Sequence, residues 1–399
     1  MASVSTPSPN PFAPAKLGPI TLRNRIIKAA TFEGMTPRRL VTDGLIEFHR
    51  AVAAGGVGMS TVAYCAVSVE GTTDGRQIVL TEDAVPGLRR LNDAIHREGA
   101  ASSAQIGHAG PVAAPSGTKR PALAPSRFFT PALTRTKAVT DADIASITQD
   151  FARGARIALE SGFDALEIHL GHNYLLSSFL SPRLNKRRDR WGGSLENRAR
   201  FPRQIVNTVR DVVGDRIALT AKLNMADGVK GGLWVDESVQ FAKMLQADGA
   251  LDAIQLTGGS SLANPMYLFR GDVPLQEFGA TLPPAMRAGF KVLGSRFFKS
   301  YPFEEAFFLS YARQFRAALD MPLILLGGIN KLETIRQGLD EGFAFVAMAR
   351  ALLREPDLIA RMQKGASQEG ICIHCNKCMP TISSGTRCVL VEDPPGISP

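Results

Sequence analysis

Residues 141–174 read DADIASITQDFARGARIALESGFDALEIHLGHNY, and they contain one complete structural repeat. Thr140 or Asp141 can cap a helix, because a short oxygen-bearing side chain accepts from the orphan N–H groups of a first turn. Ile144, Ile147, Phe151, Ala155 and Ala158 recur at helical spacing and predict an amphipathic helix over Asp141–Ser161. Gly162 follows, where a helix end needs a left-handed residue. The short run Ala165–His169 then predicts a buried strand that ends in polar residues.

The same unit recurs along the chain. Strands are predicted at Arg25–Ala30, Met59–Ala63, Ala101–Ile106, Ala165–His169, Ile217–Leu223, Ala253–Leu256, Pro322–Leu326 and Phe345–Met348. Helical patterns lie between them, among them Leu195–Val213 and Val235–Ala247, closed by Gly214 and Gly249. Alternating strands and helices imply an α/β fold with a parallel sheet. Eight repeats imply closure into a (β/α)8 barrel, and an open doubly wound sheet is the alternative. Two stretches break the rhythm. Residues 111–137 are Pro-rich and read as a long loop. Residues 260–305 form a long insertion between strands six and seven, suited to a substrate wall or a subunit contact.

With 399 residues, 45% hydrophobic and 21% charged, the chain has ample apolar content for one large core. The net charge of +9 favours anionic ligands, but no basic run is interleaved with aromatics, so no nucleic-acid partner is expected. No apolar run approaches the roughly 18 residues that span a bilayer, so no membrane partner is expected. Residues 1–10 read as a Pro/Ser-rich tail without the features of a secretory signal, which predicts a cytoplasmic protein acting on a small molecule. Self-association into a homo-oligomer stays open.

In a barrel, chemistry sits at the C-terminal ends of the strands. Strand three ends in Gln105-Ile-Gly-His108, strand four in Glu167-Ile-His169-Leu-Gly-His172-Asn-Tyr174, and strand five in Lys222-Leu-Asn224. Three of the six histidines therefore fall at this mouth. His169 and His172 could bind a metal or donate two hydrogen bonds to one oxygen. Neighbouring strand ends offer glutamine, lysine and glycine rather than further metal ligands, which favours the second. Gly327, Gly328 and Arg350, after strands seven and eight, suit a phosphate, since exposed N–H groups and a guanidinium fork both bind it. Cys65 stands alone and reads as a small buried residue.

The stretches NRIIKAATFEG (24–34), EIHLGHNYLLSSFLSPRLNKRRDRWGGSLENRARF (167–201), LLGGI (325–329) and MARALLREP (348–356) resemble the NADH:flavin oxidoreductase family, the Old Yellow Enzyme group. That resemblance implies a TIM barrel over residues 11–365, with FMN across its mouth and NAD(P)H as electron donor. It implies that His169 and His172 hold the substrate oxygen and that Tyr174 donates a proton. It places Ala30, Thr31, Tyr64, Gln105 and Lys222 around the flavin ring, and Gly327, Gly328, Ala349 and Arg350 around its phosphate. Arg198 is expected to anchor its own loop. Phe32 stands where members place threonine, cysteine or histidine. The implied reaction is reduction of an activated C=C bond. The alternatives are an amine dehydrogenase or demethylase on the same fold, or a dienoyl-CoA reductase-like enzyme.

Residues 366–399 form a Cys-rich C-terminal extension, with Cys372, Cys375, Cys378 and Cys388 at short spacing. Four thiolates are the ligand set of an iron–sulfur cluster or a structural zinc. Relatives similar to 2,4-dienoyl-CoA reductase carry a [4Fe-4S] cluster here, so the resemblance implies such a cluster. Zinc and unligated thiols are the other readings.

Overall fold

The computed structural model of the chain describes residues 9–114, 121–131, 134–282 and 284–397. The expected N-terminal tail lies outside these apart from Pro9 and Asn10, and the loop at 111–137 is described only in part. Eight strands form the barrel: β1 Ile26–Lys28, β2 Met59–Ala66, β3 Ala101–Gly107, β4 Ala165–Leu170, β5 Ala218–Asn224, β6 Ala253–Thr257, β7 Leu323–Leu326 and β8 Phe345–Met348. They pair in chain order, all parallel, and β8 closes on β1. The eight strand regions read from the sequence are those observed, and the barrel closes rather than opening into a sheet.

Helices α1 Asp43–Ala54, α2 Val85–Arg97, α3 Asp141–Glu160, α4 Leu195–Val213, α5 Val235–Asp248, α6 Leu309–Ala318, α7 Leu332–Asp340 and α8 Leu358–Gln363 surround it. Local chemistry sets their starts. Thr140 caps α3 and, with Asp143, completes a reciprocal capping box. Ser194 caps α4 and Thr42 caps α1. Gly249 ends α5 in the left-handed conformation, as its place in the pattern required.

A hairpin not read from the sequence, Ala15–Leu17 paired antiparallel with Ile20–Leu22, closes the bottom of the barrel. Its Leu17 and Leu22 pack with Ala165, Ala218, Ala253 and Phe345, each the first residue of a strand. Small alanines at three of these places leave room for the two leucines. With the bottom filled by apolar side chains, polar groups are left to the opposite end. Among the described residues no helix is long and apolar enough to cross a membrane.

The insertion and the C-terminal extension pack on each other at the mouth. Asn376 donates to the carbonyls of Arg270 and Asp272, and Lys377 pairs with Glu277 at 2.9 Å. The extension also reaches the segment that follows the first strand. The Thr386 amide donates to Glu33 O at 2.7 Å, and its hydroxyl donates to Phe32 O. Glu33 pairs with Lys28 at 2.8 Å, both almost fully buried, and accepts from the Ala63 amide at 3.0 Å. Burial pushes the Lys28 ammonium down and the Glu33 carboxyl up, and their mutual attraction opposes both shifts. Glu33→Ala leaves Lys28 buried without its counter-charge and is expected to cost about 3–5 kcal/mol. Urea denaturation checks this, and a loss near zero would show that the pair does not hold the segment.

Candidate active site

The segment after β4 gathers the rings. His172 and Asn173 take positive φ of 61° and 59°, which reverses the chain directly after Gly171. Three hydrogen bonds through Asn224 fix the reversal. The His172 amide donates to Asn224 Oδ1 at 3.1 Å, and the Asn224 amide group donates to Asp227 and to Gly259 O. The turn therefore rests on the ends of β5 and β6. His169 and His172 lie with ring centroids 4.9 Å apart, and Tyr174 stands edge-on to His169 at 4.6 Å. Tyr64 from β2 completes the group, 5.4 Å from Tyr174, with its hydroxyl donating to Gly71 O.

Both imidazoles of the pair are held neutral. Burial, then the charge of Lys222, pushes His172 down to about 3. Burial also drives His169 well below the usual imidazole range, with His172 and Lys222 adding to it. A neutral imidazole keeps one N–H donor. His172 Nε2 lies 3.1 Å from Thr257 Oγ1, while His169 Nδ1 is buried without a partner. Tyr174 is pushed up by burial and, secondarily, by Asp74, so its phenol keeps its proton.

Beneath the rings lies a buried polar network centred on Glu167. Its carboxylate accepts from Gln105 Nε2 at 2.7 Å and from Gln255 Nε2 at 2.8 Å, and it pairs with Lys222 at 3.0 Å. Four adjacent strands, β3 to β6, contribute one member each. Gln105 spends its Nε2 on Glu167, so the Oε1 acceptor stays outside this network.

The other expected residues separate into groups. Thr31 follows β1 and donates to Glu33 Oε1 at 3.2 Å, and Ala30 packs against Ala63 and Tyr64. Gly327 and Gly328 have φ of 121° and 72°. A Cβ at Gly327 would meet Phe308 at 2.6 Å, and one at Gly328 would meet Phe307 at 2.5 Å, so only glycine fits either place. Among the described residues neither glycine N–H has an acceptor. Ala349 leads into a single turn, Arg350–Arg354. The half-buried Arg350 side chain donates to Arg270 O and Asn376 Oδ1, on the side facing the cysteines.

His108 does not join the ring cluster. Its Nδ1 accepts from the Gly110 amide at 3.0 Å and burial lowers it to about 4, so of the three histidines at the mouth His169 and His172 enter the ring cluster. Arg198 ties Leu180 O and Gly193 O to Glu237, and so anchors its loop. Cys65 is fully buried and its thiol is pushed up by burial. Cys372, Cys375, Cys378 and Cys388 line one pocket with Arg350 and Arg354. Among the described residues no three His, Cys, Asp or Glu side chains are drawn together closely enough to hold a metal ion. Glu167, Gln255 and Glu33 were not assigned roles from the sequence. Their signal was present as polar residues inside mainly apolar strands for Glu167 and Gln255, and in the segment that follows β1 for Glu33.

A (β/α)8 barrel with paired imidazoles, a phenol and a buried lysine at its C-terminal mouth defines a flavin-dependent oxidoreductase. The chain belongs to the NADH:flavin oxidoreductase / NADH oxidase family, whose model matches residues 11–258. It is 59% identical to a 4,4'-dithiodibutanoate disulfide reductase from Rhodococcus erythropolis, over 97% of this chain and 96% of that protein. It is 28% identical to a multifunctional alkene reductase/demethylase (OYE) from Caballeronia cordobensis, over 92% of this chain and 51% of that protein. A 2-naphthoyl-CoA reductase structure superposes with TM-score 0.82 at 26% identity, covering 95% of this chain and 56% of that one. The chain thus spans about half the length of the latter two.

Five of the six histidines, His49, His108, His169, His172 and His374, are lowered by burial, whereas His96 is raised, first by its hydrogen bond to Asp164. Where the folded value lies below the unfolded value, the unfolded chain binds more protons, so stability rises with pH and is lost as the pH falls. Unfolding free energy is therefore expected to be level above about pH 7.5 and to decline below about pH 6.5, by up to ~1.4 kcal/mol per pH unit for each lowered imidazole. His96, partly exposed, acts in the opposite sense, as do the carboxyls of Glu33 and Asp227, which burial pushes up. Denaturant titrations of the flavin-loaded protein between pH 8 and 5 check this, and a level profile would contradict neutral burial.

Proposed function

We propose that this chain is an FMN-dependent reductase that takes hydride from NAD(P)H and delivers two electrons, with a proton from Tyr174, to a small acceptor gripped by His169 and His172. The observation that carries this reading is the packed group of two neutral imidazoles and a protonated phenol over a buried lysine. Residues 11–365 are taken as the flavin-binding barrel, preceded by the tail 1–10 and followed by the Cys-rich extension 366–399.

The residues present suit a flavin. Gln105 Oε1 is an acceptor for a ring N–H, Lys222 is a fixed cation for the ring's electron-rich edge, and Ala30, Thr31 and Tyr64 flank the same space. The acceptor-free N–H groups of Gly327 and Gly328 suit its phosphate, with Ala349 and Arg350 beside them. Bound FMN supplies the hydride equivalent. His169 and His172 polarise the acceptor by donating to its electron-withdrawing oxygen, which stabilises charge where it develops. Tyr174 holds its proton at neutral pH and releases it to the carbon or sulfur that becomes basic.

The acceptor best matched to an oxygen held by two imidazoles is an activated C=C bond conjugated to a carbonyl or nitro group. A second reading, reduction of an organic disulfide, is favoured by the 59% identity to the dithiodibutanoate reductase over nearly the whole of both chains. In that case S–S cleavage by hydride yields one thiol and one thiolate, and the Tyr174 proton converts the thiolate to the second thiol.

The cysteine pocket makes a separate proposal. Four thiols lining one pocket have the donor chemistry of a [4Fe-4S] cluster or a zinc ion, which would have to draw them closer together than they stand here.

Tyr174→Phe is expected to slow reoxidation of the reduced enzyme by acceptor about 10²–10⁴-fold, while NAD(P)H-driven flavin reduction is largely kept. Stopped-flow measurement of the two half-reactions, with 2-cyclohexenone and with 4,4'-dithiodibutanoate, checks this and separates the two acceptor readings. Equal slowing of both half-reactions would remove Tyr174 from proton donation. Metal analysis of pure protein should find iron with labile sulfide, or zinc. Finding neither would refute the proposal for the cysteines.

A further inference from the structure

The insertion between β6 and α6 carries a cation that the mechanism above does not use. A short turn, Pro265–Phe269, ends at Arg270, whose φ is +44°. Its main chain is held from two sides, because its carbonyl accepts from Arg350 Nη1 at 3.0 Å and from Asn376 Nδ2 at 2.9 Å. Four aromatic rings surround its guanidinium. The central carbon lies 4.9 Å from the Phe307 ring centroid, 5.4 Å from Tyr267, 5.8 Å from Phe308 and 6.0 Å from Tyr301. The rings are themselves fixed. Tyr301 accepts from Asn264, Tyr267 donates to Tyr311, and Phe307 and Phe308 pack against Gly328 and Gly327.

What this guanidinium lacks is an acceptor. Its Nε is buried without a hydrogen-bond partner, and among the described residues no carboxylate or carbonyl accepts from the side chain. Arg198, Arg203, Arg210 and Arg313 each pair with an acid instead. Aromatic faces attract the cation through its π surface but cannot take its in-plane N–H bonds. Five donors in a rigid fork remain, in an apolar surround that strengthens any charge-assisted bond made there. The residue is partly exposed, so the fork is open to a ligand. It also shares the walls of the Gly327–Gly328 turn, whose N–H groups lack acceptors as well.

We propose that Arg270 is an oxyanion receptor at the barrel mouth, in which an aromatic cage holds the guanidinium while its N–H edge takes a carboxylate or phosphate. This rests on the reading that the mouth binds a flavin and a small acceptor. The anion has two possible sources within that reading, namely the terminal phosphate of the cofactor and a carboxylate on the acceptor. The dithiodibutanoate named for the 59% identical relative carries two such carboxylates.

The test uses the flavin-loaded full chain as wild type, Arg270→Met and Arg270→Lys, with thermal melting to show that each is folded. Two matched pairs are compared. Retention of FMN is measured against riboflavin, and KM for 4,4'-dithiodibutanoate against that for uncharged 2-hydroxyethyl disulfide. Arg270→Met is expected to weaken one charged member by about 10–100-fold while its neutral counterpart is unchanged, the loss of one or two hydrogen bonds to a charged group. Arg270→Lys, which keeps charge without the fork, should fall between. Selective loss of FMN identifies the phosphate, and selective loss of the dicarboxylate identifies the acceptor. Equal change for charged and neutral ligands, or no change in either pair, overturns the proposal. A wild type that turns over neither disulfide refutes the acceptor reading and leaves the flavin pair to decide Arg270.

Discussion

The carboxylate of Glu167 is the point on which the mouth of the barrel depends. It lies among apolar strands, where an unpaired charge would be strongly unfavourable, and it is matched by Lys222 and two glutamine amides. Strand register makes this possible. Gln105 lies opposite Glu167, Lys222 opposite His169, and Gln255 opposite Lys222. Each partner belongs to a different strand, and Gln255 reaches Glu167 across the strand that carries Lys222. The same register then sets His169 one layer above Glu167, two residues on along β4 and on the same face.

Burial gives this layer its chemical character. An imidazole in water would be partly charged near neutral pH, but His169 and His172 sit under desolvation and beside a lysine, and both are neutral. The phenol of Tyr174 is driven the other way by the same desolvation and keeps its proton. One environment therefore produces neutral hydrogen-bond donors and a protonated acid together. The apolar hairpin at the opposite end complements this, because it fills the bottom and leaves a single polar end.

Around that rigid mouth, the insertion and the extension form a second tier. Asn376, Arg350 and the Arg270 carbonyl tie them together, and Thr386 ties the extension to the segment after β1 that carries Thr31 and Glu33. The cysteine pocket and the cation cage are built on this tier rather than on the barrel strands. Both lie within reach of loops that follow β6, β7 and β8.

The eight strands, the capped helices and the cluster of His169, His172 and Tyr174 were legible in the sequence because each is encoded over a few consecutive residues. Helical and strand periods, capping side chains and closing glycines act locally, and they repeat with every unit of the barrel. Other features were decided by tertiary structure. His108 stands at a strand end like His169 yet bonds its own loop, and Arg350 turns toward Asn376 and the thiols. Glu167 finds its partners, and Arg270 finds rings instead of an acid. Apart from the local bond of His108, these outcomes pair residues tens of positions apart, such as Glu167 with Gln105 and Gln255, and closure of the barrel determines which polar groups meet inside it. Chain neighbours specify the elements, whereas the low-dielectric space those elements enclose sets the protonation and pairing of the groups within.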